Sequence, residues 1–454
     1  MIDAYVHLLV GFAYCVLMVL ICLTSVRRSS FGYLIIFHEY FYILGLGVFP
    51  MLAATGVVNA SSLSLGYELT NGAPSIWAYL HVLSYGIGAM LGYFGLRSAA
   101  ELYGKKLIGI AIRFKLPNFA WFYFSALFSI AATTLYVSLV GIDVALLNIG
   151  PVRSGDFSGL VGFEQYSFIK TLGAIGLFSV ISFPYLILTG RRLPLVFFLT
   201  VVMAISLFVM SAARVTFIDT ILLFTLLFLT LGRVGRLLAT AYASAMVAFL
   251  LFILMFGKEF VGMFSEYLFL GGDITFTPKY DSFLSYFFSQ FAQQVYSVDA
   301  GIENFMNHGP LISMDVLLSP VGFMPSSLFS VLNLDFLSYQ LVDNSQRLSC
   351  INAASFTQAD DCSVPPYIVG FSAYLMPIAG GVILGFIRFF IFSILETAWI
   401  KLQNRPQYLW IVIFCLLFAN RILLFIPNTI SFAVFALLFV VAFVKCSRFK
   451  DENS

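Results

Sequence analysis

Four arginines lie in segments where the sequence offers few other positive charges. Arg214 follows Ser211-Ala-Ala before an apolar stretch, Arg421 lies near the end of another, and Arg153 and Arg347 lie in polar, turn-rich segments. A guanidinium can donate two parallel hydrogen bonds to a phosphate, and small neighbours allow it to approach closely. Four arginines that reach one cavity would suit a pyrophosphate, because its two charged groups need several donors.

Each of these arginines also has a simpler interpretation. Arg214 could form an ion pair with Asp219, five residues further along the chain. Arg421 could extend its guanidinium to a membrane interface. Arg153 and Arg347 could be ordinary solvated charges in loops. The sequence leaves both interpretations open for each residue.

Candidates for a general base lie close together in a different segment. His308 follows Asp299 and Glu303, and Asp343 is a further acid in the same region. An imidazole titrates near neutral pH, and a carboxylate can also accept the proton of an attacking hydroxyl group. We expect the catalytic group among His308, Asp299 and Glu303, although a lone loop histidine often has no special role.

Other ionisable residues lie inside apolar stretches. His38, Glu39 and His81 are expected to be satisfied by neighbouring helices. If these residues are functional, they indicate proton coupling and therefore a transporter.

The cysteines predict one disulfide bond. Cys350 and Cys362 are close in sequence and lie in the segment that we predict to face an oxidising compartment. The other four cysteines lie in apolar stretches or near the opposite side. The sequence has no CxxC motif and no histidine-rich cluster, so we expect neither a metal site nor a cofactor.

The composition of the chain indicates what kind of structure positions these residues. Hydrophobic residues make up 61% of the 454 positions, charged residues make up 10%, and the mean hydropathy is +0.97. A soluble domain carries about 25% charged residues, so this chain cannot cover its surface with solvated groups. Lipid must cover it instead. The net charge of +2 gives no indication of a nucleic-acid partner.

Apolar windows predict an all-α polytopic membrane protein with about eleven transmembrane helices. The first window, Tyr5 to Thr24, has no basic segment before it, which favours a retained helix over a cleaved signal peptide. The predicted spans are 4–24, 32–57, 75–97, 118–141, 169–189, 193–210, 215–232, 237–256, 367–394, 408–426 and 429–445.

The basic residues orient these spans. Fifteen of the 24 Lys and Arg residues fall in alternate connections, and the positive-inside rule makes that side cytoplasmic. The N-terminus is then periplasmic and the C-terminus cytoplasmic, as an odd number of spans requires. The fifteen are Arg27, Arg28, Lys105, Lys106, Arg113, Lys115, Arg191, Arg192, Arg233, Arg236, Lys401, Arg405, Lys445, Arg448 and Lys450.

We predict one membrane domain over 1–454, with a large periplasmic loop at 257–366 between the eighth and ninth spans. A loop of that length usually has a function or structure of its own. Tyr286 to Phe305 has the pattern of a helix with an apolar face, which would lie at the membrane surface or against the spans. The simplest alternative is a lid that packs on the bundle.

This layout resembles the O-antigen polymerase (Wzy-type) family. The resemblance rests on Ser211-Ala-Ala-Arg214 before a span, on the long loop before the ninth span, and on the Gly- and Pro-marked start of that span, Val364-Pro-Pro-Tyr-Ile-Val-Gly-Phe-Ser-Ala-Tyr-Leu-Met-Pro-Ile-Ala-Gly-Gly. It covers nearly the whole chain. The Arg-x10-Gly pattern of some members is absent after Arg153 and Arg347.

The resemblance implies a glycosyltransferase of the bacterial inner membrane. Such an enzyme moves a growing glycan from undecaprenyl pyrophosphate onto a newly flipped, lipid-linked repeat unit, so lipid-linked oligosaccharides are both donor and acceptor. The four arginines would stabilise the leaving pyrophosphate, and His308 or a loop carboxylate would accept the proton. The lipid-linked donor removes the need for a nucleotide sugar or a metal ion. A chain-length-regulating co-polymerase (Wzz-type) is an implied partner.

Two other functions remain open. An O-antigen ligase has similar architecture and chemistry, with the lipid A core as its acceptor. A lipid-linked oligosaccharide flippase or another transporter belongs to a different class. Flippases typically have more spans and shorter loops, and a proton-coupled transporter needs intramembrane acids along a path. The sequence offers only Glu39 and Asp219 as clear examples.

Overall fold

The computed structural model of the protein describes residues 2–58, 74–113, 120–141, 193–211, 283–311, 314–318, 331–334, 348–356, 366–405 and 408–423, with positions 169, 173, 176 and 267. These residues form helices and turns, and no strand occurs among them. The all-α prediction is confirmed for this part of the chain. The number of spans and the extent of the 257–366 loop reach beyond the described residues and stay predictions.

The helices follow one another along the chain, with two short π-helical turns inserted. Their bounds are α1 Ile2–Arg28, α2 Phe31–Tyr42, π1 Ile43–Val48, α3 Phe49–Ala54, α4 Ile76–Met90, π2 Leu91–Gly95, α5 Arg97–Arg113, α6 Ala120–Val140, α7 Leu193–Ser211, α8 Phe283–His308, α9 Met314–Leu318, α10 Leu348–Phe356, α11 Tyr367–Leu375, α12 Ala379–Leu402 and α13 Trp410–Leu423.

Several of these helices have the length and composition of membrane spans. Four helical stretches in the described part are long and apolar enough to cross a bilayer: Tyr5–Arg28, Phe31–Ala54, Phe122–Leu139 and Ala379–Leu402. Helix α1 buries one face and exposes a stripe of large apolar side chains at helical spacing on the other. Such a stripe suits lipid rather than water. The described helices therefore have the length and the apolar surface expected of a helical membrane protein.

Helix α4 and its π2 extension lie against α12 at very short range, because glycines line the contact. A Cβ atom on Gly88 or Gly92 would overlap the backbone of α12, and one on Gly385 would overlap the carbonyl oxygen of Tyr85. Gly381 of α12 lies equally close to α4. Both partners thus carry small residues four positions apart, a spacing that lets membrane helices pack backbone to backbone.

The stretch predicted as the ninth span differs in the structure. Residues 367–394 do not form one helix, because α11 ends at Leu375 and α12 begins at Ala379. Met376 is extended, Pro377 cannot continue the helical hydrogen bonds, and Ile378 has a φ of 62°. Helix α12 then runs to Leu402, beyond the predicted end at 394.

Helix α8 contains the whole of the helix predicted from Tyr286 to Phe305. Of the two predicted locations, it takes the one against the spans. Gln294 Nε2 donates a hydrogen bond to the carbonyl oxygen of Phe41 at 3.2 Å, and a Cβ on Gly301 would lie 2.9 Å from that of Ala373 in α11. Helices α8 and α11 therefore pack closely within the helical core.

The two ends of the bundle differ in character. At one end Trp399 Nε1 donates to Ser30 Oγ at 3.1 Å, and Tyr93 Oη donates to Glu396 Oε2 at 2.7 Å. Arg28 lies over the Tyr93 ring, 5.6 Å from its centroid. We call this the basic end; it carries Arg27, Arg28, Lys105, Lys106 and Lys401. The opposite end carries Ser75, the N-cap residue of α4, and the C-terminal turns of α8.

Candidate functional site

The last three turns of α8 carry the three predicted catalytic residues. Their inner neighbours Gln294, Ser297 and Ala300 are buried and hold α8 against the spans. The helix stops after His308, where Gly309 has a φ of 79° and Pro310 follows. A left-handed glycine followed by proline is a common helix terminator. The exposed His308 side chain is thus at a fixed helix end rather than in an irregular loop.

Asp299 has a structural role at the opposite end from the basic one. One of its carboxylate oxygens accepts hydrogen bonds from the backbone N–H of Ser75 at 3.0 Å and from Ser75 Oγ at 2.5 Å. Ser75 is the N-cap residue of α4. A carboxylate at a helix N-terminus is stabilised by the exposed N–H groups and by the helix dipole. Asp299 therefore links α8 to the start of α4.

Glu303 and His308 line one open cleft of about 160 Å³ at the end of α8. Residues 300, 303, 304, 307 and 308 share a helix face, because helical neighbours are three and four positions apart. The cleft wall on the other side comes from Ser355 of α10. Two groups able to accept a proton therefore face the same space as two asparagine amides and a hydroxyl.

Helix α10 is held against α8 by a buried hydrogen-bonded chain. Asn352 Nδ2 donates to Ser297 Oγ at 2.9 Å, and Tyr374 Oη of α11 donates to Asn352 Oδ1 at 3.0 Å. Cys350, in the first turn of α10, is disulfide-bonded. Its predicted partner Cys362 lies outside the described residues, so the Cys350–Cys362 pairing stays a prediction. Cys15, Cys22 and Cys415 are free thiols.

None of the four predicted pyrophosphate-binding arginines has a side chain among the described residues. Arg153, Arg214 and Arg347 lie outside the described ranges. Arg421 lies in the last turn of α13, a helix whose backbone is described at that position and whose side chain is not. The anion site therefore stays a prediction for all four residues.

A buried ion pair joins α2 to α12 within two candidate membrane spans. Arg388 Nη2 lies 2.6 Å from Glu39 Oε1, and both side chains are almost fully excluded from solvent, at 1% and 0% exposure. The guanidinium carbon of Arg388 also lies 4.6 Å from the centroid of the Tyr42 ring. The two opposite charges therefore balance, and the face of the Tyr42 ring covers part of the guanidinium.

The surroundings of this pair are unusually polar for a membrane core. Within the described part of the chain, the Tyr14 and Tyr85 hydroxyls and the Nε and Nη1 atoms of Arg388 are buried without a hydrogen-bond partner of good geometry. The Tyr14 and Tyr85 ring centroids lie 6.5 Å apart. Buried polar groups are costly in lipid, so such a cluster is a candidate functional site on physical grounds.

Sequence reasoning identified Glu39 and missed its partner. Arg388 lies in the segment Phe386-Ile-Arg-Phe-Phe. The surrounding window is so apolar that it was predicted as a span although it contains this one charge. Glu39 itself was the available signal, because an acid buried in one membrane span commonly pairs with a base in another. Glu396 was also missed; it accepts hydrogen bonds from Ser25 and Tyr93 at the basic end.

The two histidines predicted to be satisfied inside the bundle are both buried. His81 Nε2 lies 2.9 Å from Ser372 Oγ, and its Nδ1 accepts a hydrogen bond from the backbone N–H of Ile378 at 2.9 Å. His81 thereby fixes the break between α11 and α12. The His38 ring stacks near Phe392, with centroids 6.1 Å apart.

Within the described residues, no three His, Cys, Asp or Glu side chains are grouped as metal ligands. The absence of a metal site in the whole protein stays a prediction. Comparison of the chain with protein-family models, with curated proteins and with solved structures found no match.

Proposed function

We propose that this chain is a glycosyltransferase that polymerises lipid-linked oligosaccharide repeat units at the periplasmic face of the bacterial inner membrane. Donor and acceptor are both linked to undecaprenyl pyrophosphate. The observation that carries the proposal is the cleft at the end of α8, where Glu303 and His308 face the same space. This cleft lies at the end of the bundle opposite the basic end, on the side that the positive-inside rule makes periplasmic.

The proposed reaction forms one glycosidic bond and breaks one. A hydroxyl oxygen of the acceptor sugar attacks the anomeric carbon of the donor glycan, and the bond from that carbon to the pyrophosphate oxygen breaks. Glu303 or His308 accepts the hydroxyl proton. Undecaprenyl pyrophosphate leaves with the bonding electron pair. Asn304, Asn307 and Ser355, which line the same cleft, are suited to hydrogen-bond sugar hydroxyl groups.

Asp299 has a positioning role in this proposal. Its carboxylate accepts two hydrogen bonds from Ser75 at the start of α4, whereas Glu303 is exposed and lines the cleft. Loss of Asp299 would move α8 relative to α4 and so disturb the cleft. Glu303 and His308 are the preferred candidates for the general base.

The developing charge on the leaving group requires cations near the cleft. Arg153, Arg214, Arg347 and Arg421 are the proposed donors, by resemblance and by residue type. A co-polymerase that regulates chain length is the proposed protein partner on the same resemblance. These assignments complete the proposed enzyme and are testable by substitution.

A second candidate, a lipid-linked oligosaccharide flippase, is favoured by one observation. The Glu39–Arg388 pair lies inside two candidate spans, and intramembrane charges commonly mark transport pathways. The O-antigen ligase remains the third candidate, because the cleft chemistry would serve either acceptor.

The lipopolysaccharide banding pattern of a strain that lacks the gene separates these functions. A polymerase deletion leaves one repeat unit on the lipid A core. A ligase deletion leaves polymer that is not attached to the core, and a flippase deletion leaves no repeat unit outside the inner membrane. We expect the single capped repeat, with the full ladder restored by the wild-type gene; either of the other two patterns would contradict the proposal.

A further inference from the structure

Helix α5 begins at the basic end of the bundle and is separated from α4 by a break. Tyr93 of the preceding π2 turn donates to Glu396, and Arg28 lies 5.6 Å from the centroid of the Tyr93 ring. Leu96, the C-cap residue of π2, has φ −112° and ψ 39°, which ends the helical path. Helix α5 therefore starts close to the end of α1.

The three faces of α5 differ in chemistry. Ala100, Gly104 and Ala111 are buried, and a Cβ on Gly104 would lie 2.9 Å from Thr397 of α12. One exposed flank is apolar, with Tyr103 at 48% and Ile110 at 44% exposure. These two positions are seven residues apart, so they follow one line along the helix.

Basic residues are the largest group on the remaining exposed surface of α5. Arg97, Lys105, Lys106 and Arg113 lie there, together with the apolar Leu102 and Ile112 and the single acid Glu101, which pairs with Arg97 at 3.8 Å. Lys106 Nζ lies 5.2 Å from the centroid of the Tyr103 ring, at the border between the apolar flank and the basic surface. Arg27 and Arg28 add two charges at the same end.

We propose that α5 lies in the membrane interface and binds the headgroups of anionic phospholipids. The flank formed by Tyr103 and Ile110 enters the acyl-chain boundary, and Lys105, Lys106 and Arg113 contact headgroup phosphates. An amphipathic helix of low overall hydrophobicity, with lysines and arginines beside an apolar stripe, has the composition of an interfacial helix. The excess of positive charge selects an anionic lipid over a zwitterionic one.

The helix is an independent feature of the fold and does not depend on the proposed enzyme activity. Its inner face is fixed to α12 through Gly104, and α12 also carries Arg388 and Glu396. Lipid bound along α5 would thus stabilise α12, which contributes Arg388 to the ion pair with Glu39 and Glu396 to the hydrogen bond with Tyr93. The expected consequence is a higher melting temperature of the protein in anionic lipid than in zwitterionic lipid.

The test uses the purified full-length protein in nanodiscs containing equal amounts of phosphatidylglycerol and phosphatidylcholine. After extraction into detergent, native mass spectrometry measures the ratio of the two lipids that stay bound. Each basic residue at an anionic surface contributes about fivefold in binding, so Lys105→Gln with Lys106→Gln should lower that ratio by up to about 25-fold. Lys105→Arg with Lys106→Arg should retain the wild-type ratio, because the charge is unchanged.

The matched control removes two charges elsewhere at the basic end. Lys401→Gln with Arg405→Gln alters two exposed residues, one in the last turn of α12 and one just after it, and should change the lipid ratio much less. Equal loss in the two double variants would show that total charge, rather than α5, determines the preference, and would overturn the proposal. Displacement of the bound lipid by soluble glycerol phosphate would also overturn it, because the site would then bind free phosphate. An unchanged ratio in the Lys105/Lys106 variant would leave α5 a surface for a soluble partner instead.

Discussion

Arg388 and Glu39 form an ion pair across the interface between α12 and α2, with 2.6 Å between Nη2 and Oε1. The two residues come from opposite parts of the sequence, and neither side chain reaches solvent. Each charge would be very costly in this environment without the other. The pair therefore determines how the first spans dock onto the last described long helix.

Removal of both partners should destabilise the protein less than the sum of the two single removals. Arg388→Met leaves the Glu39 carboxylate buried and unpaired, and Glu39→Gln leaves the guanidinium in the same state. We expect losses of about 3–5 kcal/mol for each single variant, with a smaller loss for the double variant than the sum. Thermal melting in detergent and reversible unfolding in SDS measure these values. Additive losses would contradict a direct interaction.

The close contact of α4 with α12 makes a second prediction. Gly385→Ala places a methyl group on the carbonyl oxygen of Tyr85, and the backbone must move to relieve the overlap. We expect a loss of about 1–3 kcal/mol. Gly109→Ala is the control, because a Cβ there meets nothing within 4 Å and alanine favours a helix. Similar melting temperatures for the two variants would rule out glycine-dependent packing.

Asp299 provides a test that separates positioning from catalysis. Asp299→Asn keeps an oxygen that can accept hydrogen bonds from Ser75, whereas Asp299→Ala removes it. If Asp299 only links α8 to α4, the asparagine variant should keep most of the polymer ladder, and the alanine variant should lose about 1–2 kcal/mol of stability. Complete loss of polymer in a stable asparagine variant would instead identify Asp299 as the base.

Glu303 and His308 should show the opposite behaviour. Both side chains are exposed, so Glu303→Gln and His308→Gln should leave the melting temperature unchanged. For whichever residue is the general base, we expect the rate of polymer formation to fall by about 10²–10⁴-fold. Met306→Ala is the control on the same helix, because Met306 is 75% exposed and lies outside the cleft lining. Full activity in both cleft variants would remove the cleft from the mechanism.

The sequence predicted the helical class of the described residues, because long apolar windows and the 3.6-residue period are local properties. It also predicted a helix from Tyr286 to Phe305, which the structure contains within α8. The sequence could not distinguish a position against the spans from one at the membrane surface, because an apolar face does not specify which surface covers it. Pro377 indicated a break in the predicted ninth span, but the hydropathy window averaged across it.

The site was predictable in part. His308, Glu303 and Asp299 were identified by residue type, yet only the structure separates Asp299, bound to Ser75, from the two residues of the cleft. Arg388 was missed because its partner Glu39 lies at the other end of the sequence, and no local pattern relates them. The four-residue spacing of Gly88 and Gly92 is visible in the sequence. The helix that these glycines and Gly385 contact depends on the tertiary fold.

The central claim is that this protein joins lipid-linked repeat units, and reconstitution tests it most directly. Purified full-length protein in liposomes, without added nucleotide sugar, is incubated with undecaprenyl-pyrophosphate-linked repeat units placed on both leaflets. Gel electrophoresis then measures glycan length, and lipid analysis measures released undecaprenyl pyrophosphate. We predict a ladder of multiple repeats with one undecaprenyl pyrophosphate released for each bond formed. Single repeats that stay unlengthened, with no undecaprenyl pyrophosphate released, would contradict the account.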